Sequence, residues 1–194
     1  MSTKTKSGLL PILLVAGVVV AVTQTEIAQE VGEALGIVDS APGDMIVPPS
    51  DRGRVKECTP EQLTKDKRCK DLPVMVFDAA RMPYISRHIT MAWQAGHPAL
   101  LHRGEVGSGG TNRSLACTEL RKVELKPTSC DEYPFASTME GGAAASTQGV
   151  PGREQKIQGG VVNGTYTKNK MQPGAEFLVV VINSGDIAQE PFKG

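Results

Sequence analysis

The stretch SCDEYPFAST, Ser129–Thr138, sets two neighbouring carboxylates beside aromatic residues in a chain with only 4% aromatic content. Successive side chains of a strand point to opposite faces. A regular strand would therefore place Asp131 on the same face as Tyr133 and Phe135, and would turn Glu132 to the other face. A carboxylate on an apolar face is costly unless it is paired, bound to a metal or protonated. Two interpretations stay open: Asp131 is a solvated strand end, or it holds a cation for chemistry.

A second polar group lies downstream, in EQKIQGGVVNGTYTKNKM, residues 154–171. Its weak periodicity predicts a helix, on which Gln155, Gly159 and Asn163 share one face. The glycine would let another backbone or a ligand approach that face closely. Amide oxygens opposite the strand carboxylate of Asp131 would suit a hard cation such as Mg²⁺. The alternative is that these amides are ordinary solvated helix residues.

Three apolar segments predict the rest of a sheet. LPVMVFD, Leu72–Asp78, and EFLVVVI, Glu176–Ile182, are rich in β-branched residues and predict strands. ALLHR, residues 99–103, predicts a shorter strand. Two glycine-rich segments, residues 104–112 and 139–150, predict loops because they carry few residues that could build a core.

A helix is predicted after Pro83. Ile85, Ile89 and Trp93 recur at intervals of four residues, and Gly96 ends the pattern. The only tryptophan of the chain is therefore expected to pack in the core.

The four cysteines predict two disulfides, for which three pairings exist. We favour Cys58–Cys69 and Cys117–Cys130, because each pair closes a short local loop. A structural zinc site is disfavoured, because no two cysteines stand in a C-x-x-C pair.

The N-terminal residues have the pattern of an export signal. Lys4 and Lys6 precede the uncharged apolar run Gly8–Val22. This run is shorter than the about 20 residues of a membrane-spanning helix, so we predict a signal peptide over residues 1–23. An uncleaved signal anchor, which would tie the protein to a membrane facing outside, and a buried helix are the alternatives.

The predicted signal is followed by a short helix, Gln24–Leu35, and by a Pro/Gly-rich linker, Asp39–Gly53. These elements divide the chain into three parts. Residues 1–23 are the signal peptide or anchor, residues 24–54 are helix and linker, and residues 55–194 are the folded domain.

Positive charge is balanced in this chain, with 21 Lys and Arg against 21 Asp and Glu. This balance excludes a strongly basic protein dedicated to nucleic-acid storage but allows a local basic patch. Arg113 is the best candidate to clamp a phosphate, since a guanidinium donates two parallel hydrogen bonds. Arg103, Lys168 and Lys170 are further candidates for substrate binding. Each of the four also fits a plain surface charge.

The sequence predicts no role as a general base for any of the three histidines. His88 is expected at the edge of the buried face of the Pro83 helix, His97 caps the end of that helix, and His102 has no specific role.

The residues around the acidic doublet resemble a known family. CDEYPFASTMEGG, residues 130–142, resembles the core motif of the secreted bacterial nucleases of the NucA/NucB type. MPYISRHITMAWQAGHP, residues 82–98, and TNRSLAC, residues 111–117, are similar to flanking segments of that family. Residues 154–171 and the FLVVV strand resemble its metal-site helix and closing strand. The resemblance spans residues 72–182.

The resemblance implies an α+β fold with a small ββα-metal nuclease core, a short antiparallel sheet and a few helices. It also implies one divalent ion, Mg²⁺ or Mn²⁺, with Asp131 in the place of the general base and Arg113 as the phosphate contact. The family's metal-orienting Asn falls on Gln155, a longer amide, so the ion is expected at Gln155 or shifted toward Glu154. Glu140 matches the family's acidic residue before Gly-Gly and has no assigned role.

The function that the resemblance implies is an extracellular, metal-dependent and largely sequence-nonspecific DNA endonuclease that contacts the DNA backbone. The candidate residues are Asp131, Glu132 and Arg113 for catalysis, Gln155, Glu154 and Asn163 for the metal, and Arg103, Lys168 and Lys170 for the substrate. Two alternatives stay open. One is a catalytically inactive binding domain on the same scaffold, exported or membrane-anchored. The other is a nuclease toxin against rival cells, which would have a protein inhibitor as a partner.

Overall fold

The computed structural model describes the backbone of residues 37–38 and the full residues 45–59 and 61–194. The predicted signal peptide and the predicted helix at residues 24–35 lie outside these described residues. Within them, no helix combines the length and the apolar character needed to cross a bilayer.

The described residues form strands and helices in a mixed order, together with a few single turns. The strands are β1 (Ile37–Val38), β2 (Met45–Ile46), β3 (Arg68–Cys69), β4 (Leu72–Asp78), β5 (Leu100–His102), β6 (Ser129–Tyr133), β7 (Ser146–Val150) and β8 (Glu176–Ile182). The helices are α1 (Arg52–Val55), α2 (Pro83–Gln94), α3 (Ser108–Ala116), α4 (Glu119–Glu124) and α5 (Gly152–Lys168).

The centre of the larger sheet is a parallel pair, β4 and β8, aligned from Val74 opposite Leu178 to Asp78 opposite Ile182. The sheet order is β1-β2-β8-β4-β3, and β5 pairs antiparallel with β8. The central residues of β4 and β8 are almost wholly buried, as expected for continuous apolar runs. The sequence predicted β4 and β8 with these bounds, and the structure confirms both strands.

A ββα unit stands beside this sheet. Strands β6 and β7 pair antiparallel from Ser129 opposite Val150 to Tyr133 opposite Ser146, and α5 begins at Gly152. Together with the two sheets, the helices and the disulfides, this unit confirms the predicted α+β class and is consistent with a small nuclease core.

Aromatic contacts fix β6 against the rest of the core. The Trp93 indole N–H donates to the Tyr133 hydroxyl at 2.8 Å, and that hydroxyl donates to the Pro98 carbonyl at 2.8 Å. The rings of Phe77 and Phe135 lie 5.3 Å apart, which joins β4 to the segment after β6. The predicted Pro83 helix is confirmed as α2, and Trp93 packs in the core as expected.

Both predicted disulfides are formed. Cys58 pairs with Cys69 and Cys117 with Cys130, with Cα–Cα distances of 5.4 and 6.1 Å. No free cysteine is left among the described residues.

The two predicted glycine-rich loops are partly regular structure. Helix α3 begins inside the first, at Ser108, and is held by Asn112, whose side chain donates to the carbonyls of Ala136 and Thr138. The second ends in β7, because residues 146–150 complete the hydrogen-bonded ladder of β6. Tertiary pairing therefore overrides the loop tendency of the glycines.

The described part of the predicted linker, residues 45–53, packs into the folded domain instead. Ile46 pairs with Val181 of β8, and Met45, Ile46 and Val47 are at most 1% exposed. The linker prediction is therefore wrong for residues 45–47, because this short apolar run among prolines and aspartates forms β2, which lies between β1 and β8 in the sheet.

Candidate functional site

Asp131 lies where three elements meet: its own strand β6 and the helices α2 and α5. The residue is only 1% exposed. Its Oδ2 lies 2.7 Å from Nδ1 of His88, and its Oδ1 accepts from Nε2 of Gln155 at 3.3 Å. Its carboxylate is therefore buried and held on both oxygens, which excludes the solvated strand end. The structure brings Asp131 and Gln155 together, as the sequence predicted.

His88 is the residue of this group that the sequence did not assign to the site. The residue is 2% exposed, and its Nε2 lies 3.0 Å from the Ser146 hydroxyl. A carboxylate that acts as a general base only accepts hydrogen bonds, and in that role of Asp131 the Nδ1 of His88 is the donor. A detectable signal did exist, because His88 shares the buried face of α2 with Ile85 and Ala92, and a buried imidazole requires polar partners.

Gln155 carries an unused acceptor at this site. Its Nε2 also donates to Oε1 of Gln158, at 2.6 Å. Its own Oε1 is buried and has no hydrogen-bond partner among the described residues. An orphaned amide oxygen beside a buried carboxylate is a ligand that a hard cation or its water can use.

Glu154 adds a second carboxylate at the start of α5. It is 5% exposed, and its Oε2 accepts from the backbone N–H groups of Tyr84 and Ile85, both at 3.0 Å. Burial raises the pKa of Glu154, with a smaller contribution from the charge of Asp131, and the two backbone hydrogen bonds oppose the increase. The first turn of α2 thus anchors this carboxylate.

The donor set fits a hard ion that keeps water ligands. Among the described residues, no three His, Cys, Asp or Glu side chains form a ready metal cluster. Mg²⁺ needs fewer protein ligands, since it is usually held by one or two carboxylates and several waters. Glu154 offers one such carboxylate, and Oε1 of Gln155, which has no partner among the described residues, offers an amide oxygen. Asn163 does not join them, because it is exposed and lies two turns further along α5, about 12 Å away.

Glu132 faces away from Asp131, as strand alternation predicted. Nη1 of Arg113 lies 2.8 Å from both carboxylate oxygens of Glu132, and Nη2 of Arg113 donates to the Cys130 carbonyl at 2.8 Å. Burial raises the pKa of Glu132 to about 7, against the opposing effect of Arg113. The two predicted catalytic residues Glu132 and Arg113 thus form an ion pair on the α3 side of β6, and the Arg113 side chain stays 39% exposed.

The other predicted basic residues lie apart from Asp131. Arg103 donates to the Met171 carbonyl and stacks over the Tyr166 ring at 5.0 Å. Lys168 ends α5, thirteen residues after Gln155, which is about 20 Å along the helix. Lys170 follows it and is exposed.

Glu140 and His102 tie the β6–β7 connection to β5, a role that the sequence did not reveal. Oε1 of Glu140 lies 2.6 Å from Nδ1 of His102, and its Oε2 accepts from the His102 backbone N–H at 3.1 Å. Glu176 approaches Nε2 at 3.3 Å. The hydrogen bond to Glu140 is the largest cause of the raised pKa of His102.

The raised pKa of His102 predicts a pH-dependent contribution to stability. The charged imidazole is favoured in the folded state, so this stabilisation is complete below the unfolded value of about 6.5 and is lost as pH rises through the folded pKa. We expect an NMR titration of His102 to show a pKa above 6.5 and Glu140→Gln to lower it. The effect on the melting temperature should be small, because the imidazole is 36% exposed. An unchanged His102 pKa in Glu140→Gln would contradict the assignment.

The family comparison matches the part of the chain that contains the ββα unit. Residues 99–180 match the family model described as Deoxyribonuclease NucA/NucB. The matched segment runs from just before β5 into β8 and contains Asp131, Glu132, Glu154 and Gln155. It does not include His88. No curated protein matches the chain.

Proposed function

We propose that this chain, which carries a NucA/NucB-type deoxyribonuclease domain, is a metal-dependent endonuclease with Asp131 as its general base. The observation that carries the proposal is the buried Asp131 carboxylate, held by His88 and Gln155 next to an amide oxygen that has no donor within the described part of the chain. DNA is the substrate that the family implies, and weak sequence preference follows if the backbone rather than the base edges is contacted.

In this mechanism His88 orients Asp131 and leaves Oδ1 for the attacking water. The Oδ1 contact to Gln155 is 3.3 Å, longer than the 2.7 Å contact of Oδ2 with His88. Oδ1 is therefore the oxygen more easily released to water, and Asp131 would accept the proton there. A divalent ion held by Glu154 and Gln155 would lower the pKa of a bound water and offset negative charge on the phosphate.

Arg113 lies with Glu132 on the opposite face of β6 from Asp131, so the phosphate contact proposed for it is to a DNA phosphate other than the one attacked at Asp131. Two nitrogens of its guanidinium are used by Glu132 and Cys130, but the side chain is 39% exposed. A group fixed in this way is preorganised, since less side-chain entropy is lost when a phosphate binds than for a free arginine.

We also propose that the protein acts outside the cell. The pairing of all four cysteines supports this, because disulfides persist in oxidising compartments. The N-terminal sequence pattern supports it independently.

A binding domain without catalysis is the second candidate. It is favoured by the 1% exposure of Asp131 and by Gln155, which stands where the family motif has an asparagine. In that case the buried group would only stabilise the fold.

One assay separates the two candidates. Supercoiled plasmid is incubated with the protein and Mg²⁺ or Mn²⁺, with EDTA, and with EDTA followed by excess metal. We expect nicking with metal, loss of nicking on chelation and recovery on re-addition. Cleavage that persists in EDTA would refute metal dependence, and no cleavage with either metal would favour the binding domain.

A further inference from the structure

We propose that a basic cleft at the end of α5 is a second binding site for DNA phosphates, separate from the Asp131 site. This inference rests on the proposed deoxyribonuclease function for its ligand. The cleft has a volume of about 350 Å³ and is lined by Gln62, Asp66, Arg68, Lys70, Lys168 and Asn169.

The cleft is built from two distant parts of the chain. One wall is the turn and strand within the Cys58–Cys69 region, and the other is the last turn of α5. Lys168 donates to the Lys65 carbonyl, and the Asn169 amide donates to the Lys67 carbonyl at 3.2 Å. These contacts hold the two walls together, so the cleft is a defined feature of the folded domain.

Positive charge is concentrated at this cleft although the whole chain is neutral. Arg68, Lys70 and Lys168 line it together with a single carboxylate, Asp66. Arg68 uses one nitrogen on the Asp71 carbonyl, a neutral partner. Among the described residues, only Lys70 of the three lining cations has an ion pair, with the exposed Glu57. The cleft therefore retains positive charge that a phosphate can neutralise.

The pKa of Lys67, which lies beside the cleft, shows the effect of the same excess of positive charge. Its pKa is lowered by burial and by the charges of Lys168 and Arg81, while Asp78 opposes the decrease only as the smallest contribution. The dominant charges around this ammonium are thus positive. A phosphodiester, with one negative charge and several acceptor oxygens, matches these donors better than a neutral or cationic ligand would.

The exposed side of α5 offers a path between the two sites. Gly159, Gly160 and Gly164 are exposed, and a Cβ added to any of them would meet no atom within 4 Å. A nucleic-acid backbone can therefore approach this helix closely. Lys168 lies about 20 Å along the axis from Gln155, and about six base pairs span that distance at 3.4 Å each.

The cleft should therefore contribute to the binding of long duplexes only. We test this with Arg68→Gln/Lys168→Gln, using duplexes that extend about 4 and about 20 base pairs from the cleavage position. On the long duplex we expect KM to rise about 3- to 10-fold with little change in kcat. The slope of log Kd against log salt should fall by nearly 2, about one for each cation removed. On the short duplex the variant should equal the wild type.

A matched variant controls for charge alone. Lys122→Gln/Lys126→Gln removes two exposed cations at α4 and just after it, in neither site, and we expect no change in KM on either duplex. Circular dichroism and melting temperature check that the double variant is folded. Equal effects of the double variant on both duplexes, or an unchanged KM and salt slope, would overturn the proposal.

Equilibrium binding keeps this test independent of catalysis. Fluorescence anisotropy with the long duplex in EDTA measures the contribution of the cleft to DNA affinity even if the wild type never cleaves DNA. A failure of the nuclease proposal can therefore be distinguished from a failure of the cleft proposal. Inorganic phosphate and vesicles containing an anionic phospholipid serve as competitors. Stronger competition by vesicles than by unlabelled duplex would assign the cleft to a lipid headgroup and overturn the DNA assignment.

Discussion

Replacing Asp131 with asparagine is expected to lower kcat for DNA cleavage by about 10²- to 10⁴-fold, the range for loss of a general base. The fold should survive. The asparagine oxygen can still accept from Nδ1 of His88. Its NH₂ takes the place of Oδ1, which faces Nε2 of Gln155, and can donate to Oε1 of Gln155 once that amide turns over and gives up its contact with Gln158. Side-chain volume is unchanged. The loss should therefore appear in kcat while the melting temperature stays close to that of the wild type.

The neighbouring carboxylate provides the matched control. Glu132→Gln alters the same strand on the opposite face, where the carboxylate pairs with Arg113. We expect this variant to lose about 1–3 kcal/mol of unfolding free energy, the cost of a lost charged hydrogen bond, and to retain kcat within a few-fold. If Asp131→Asn cleaved DNA at the wild-type rate, or if Glu132→Gln lost as much kcat as Asp131→Asn, the general base would be assigned to the wrong residue.

The sequence was a good guide where local pattern and burial agree. Strands β4 and β8 are continuous apolar runs that cannot be stable except in a sheet interior, so their bounds were predictable. The same holds for α2, which has apolar spacing, Pro83 at its start and Gly96 after its end. The short strand β2 was not predictable, because two apolar residues acquire strand geometry only by pairing with their neighbours β1 and β8.

The sequence likewise predicted some residues of the candidate site and missed others. Strand alternation was enough to place Asp131 and Glu132 on opposite faces, and the amide helix was enough to expect Gln155 near Asp131. His88 was missed because its position on α2 gives its burial but not its partner, which lies 43 residues away. The structure does not bring Asn163 to the other predicted metal residues, since shared orientation on a helix face ignores separation along the axis.

A pair of substitutions at His88 is expected to show whether this histidine positions Asp131. Asparagine places its amide near the position of Nδ1, whereas glutamine places its amide near that of Nε2. His88→Asn can therefore keep the hydrogen bond to Asp131 and lose the one to Ser146, and His88→Gln does the reverse. A hydrogen bond to a charged group contributes about 1.5–3 kcal/mol, which corresponds to about 10- to 100-fold in rate.

We accordingly expect His88→Gln to lower kcat by about 10- to 100-fold and His88→Asn to lower it by less than about 10-fold. KM should change little in both, since a side chain that is 2% exposed does not touch DNA. Ser146→Ala, which removes only the Nε2 contact, should behave like His88→Asn. Both His88 variants lose one buried hydrogen bond, so a role limited to stability would lower their melting temperatures and rates together. Equal loss of kcat in the two variants would exclude the positioning role, whereas a loss confined to His88→Gln would show that Nδ1 holds the Asp131 carboxylate for catalysis.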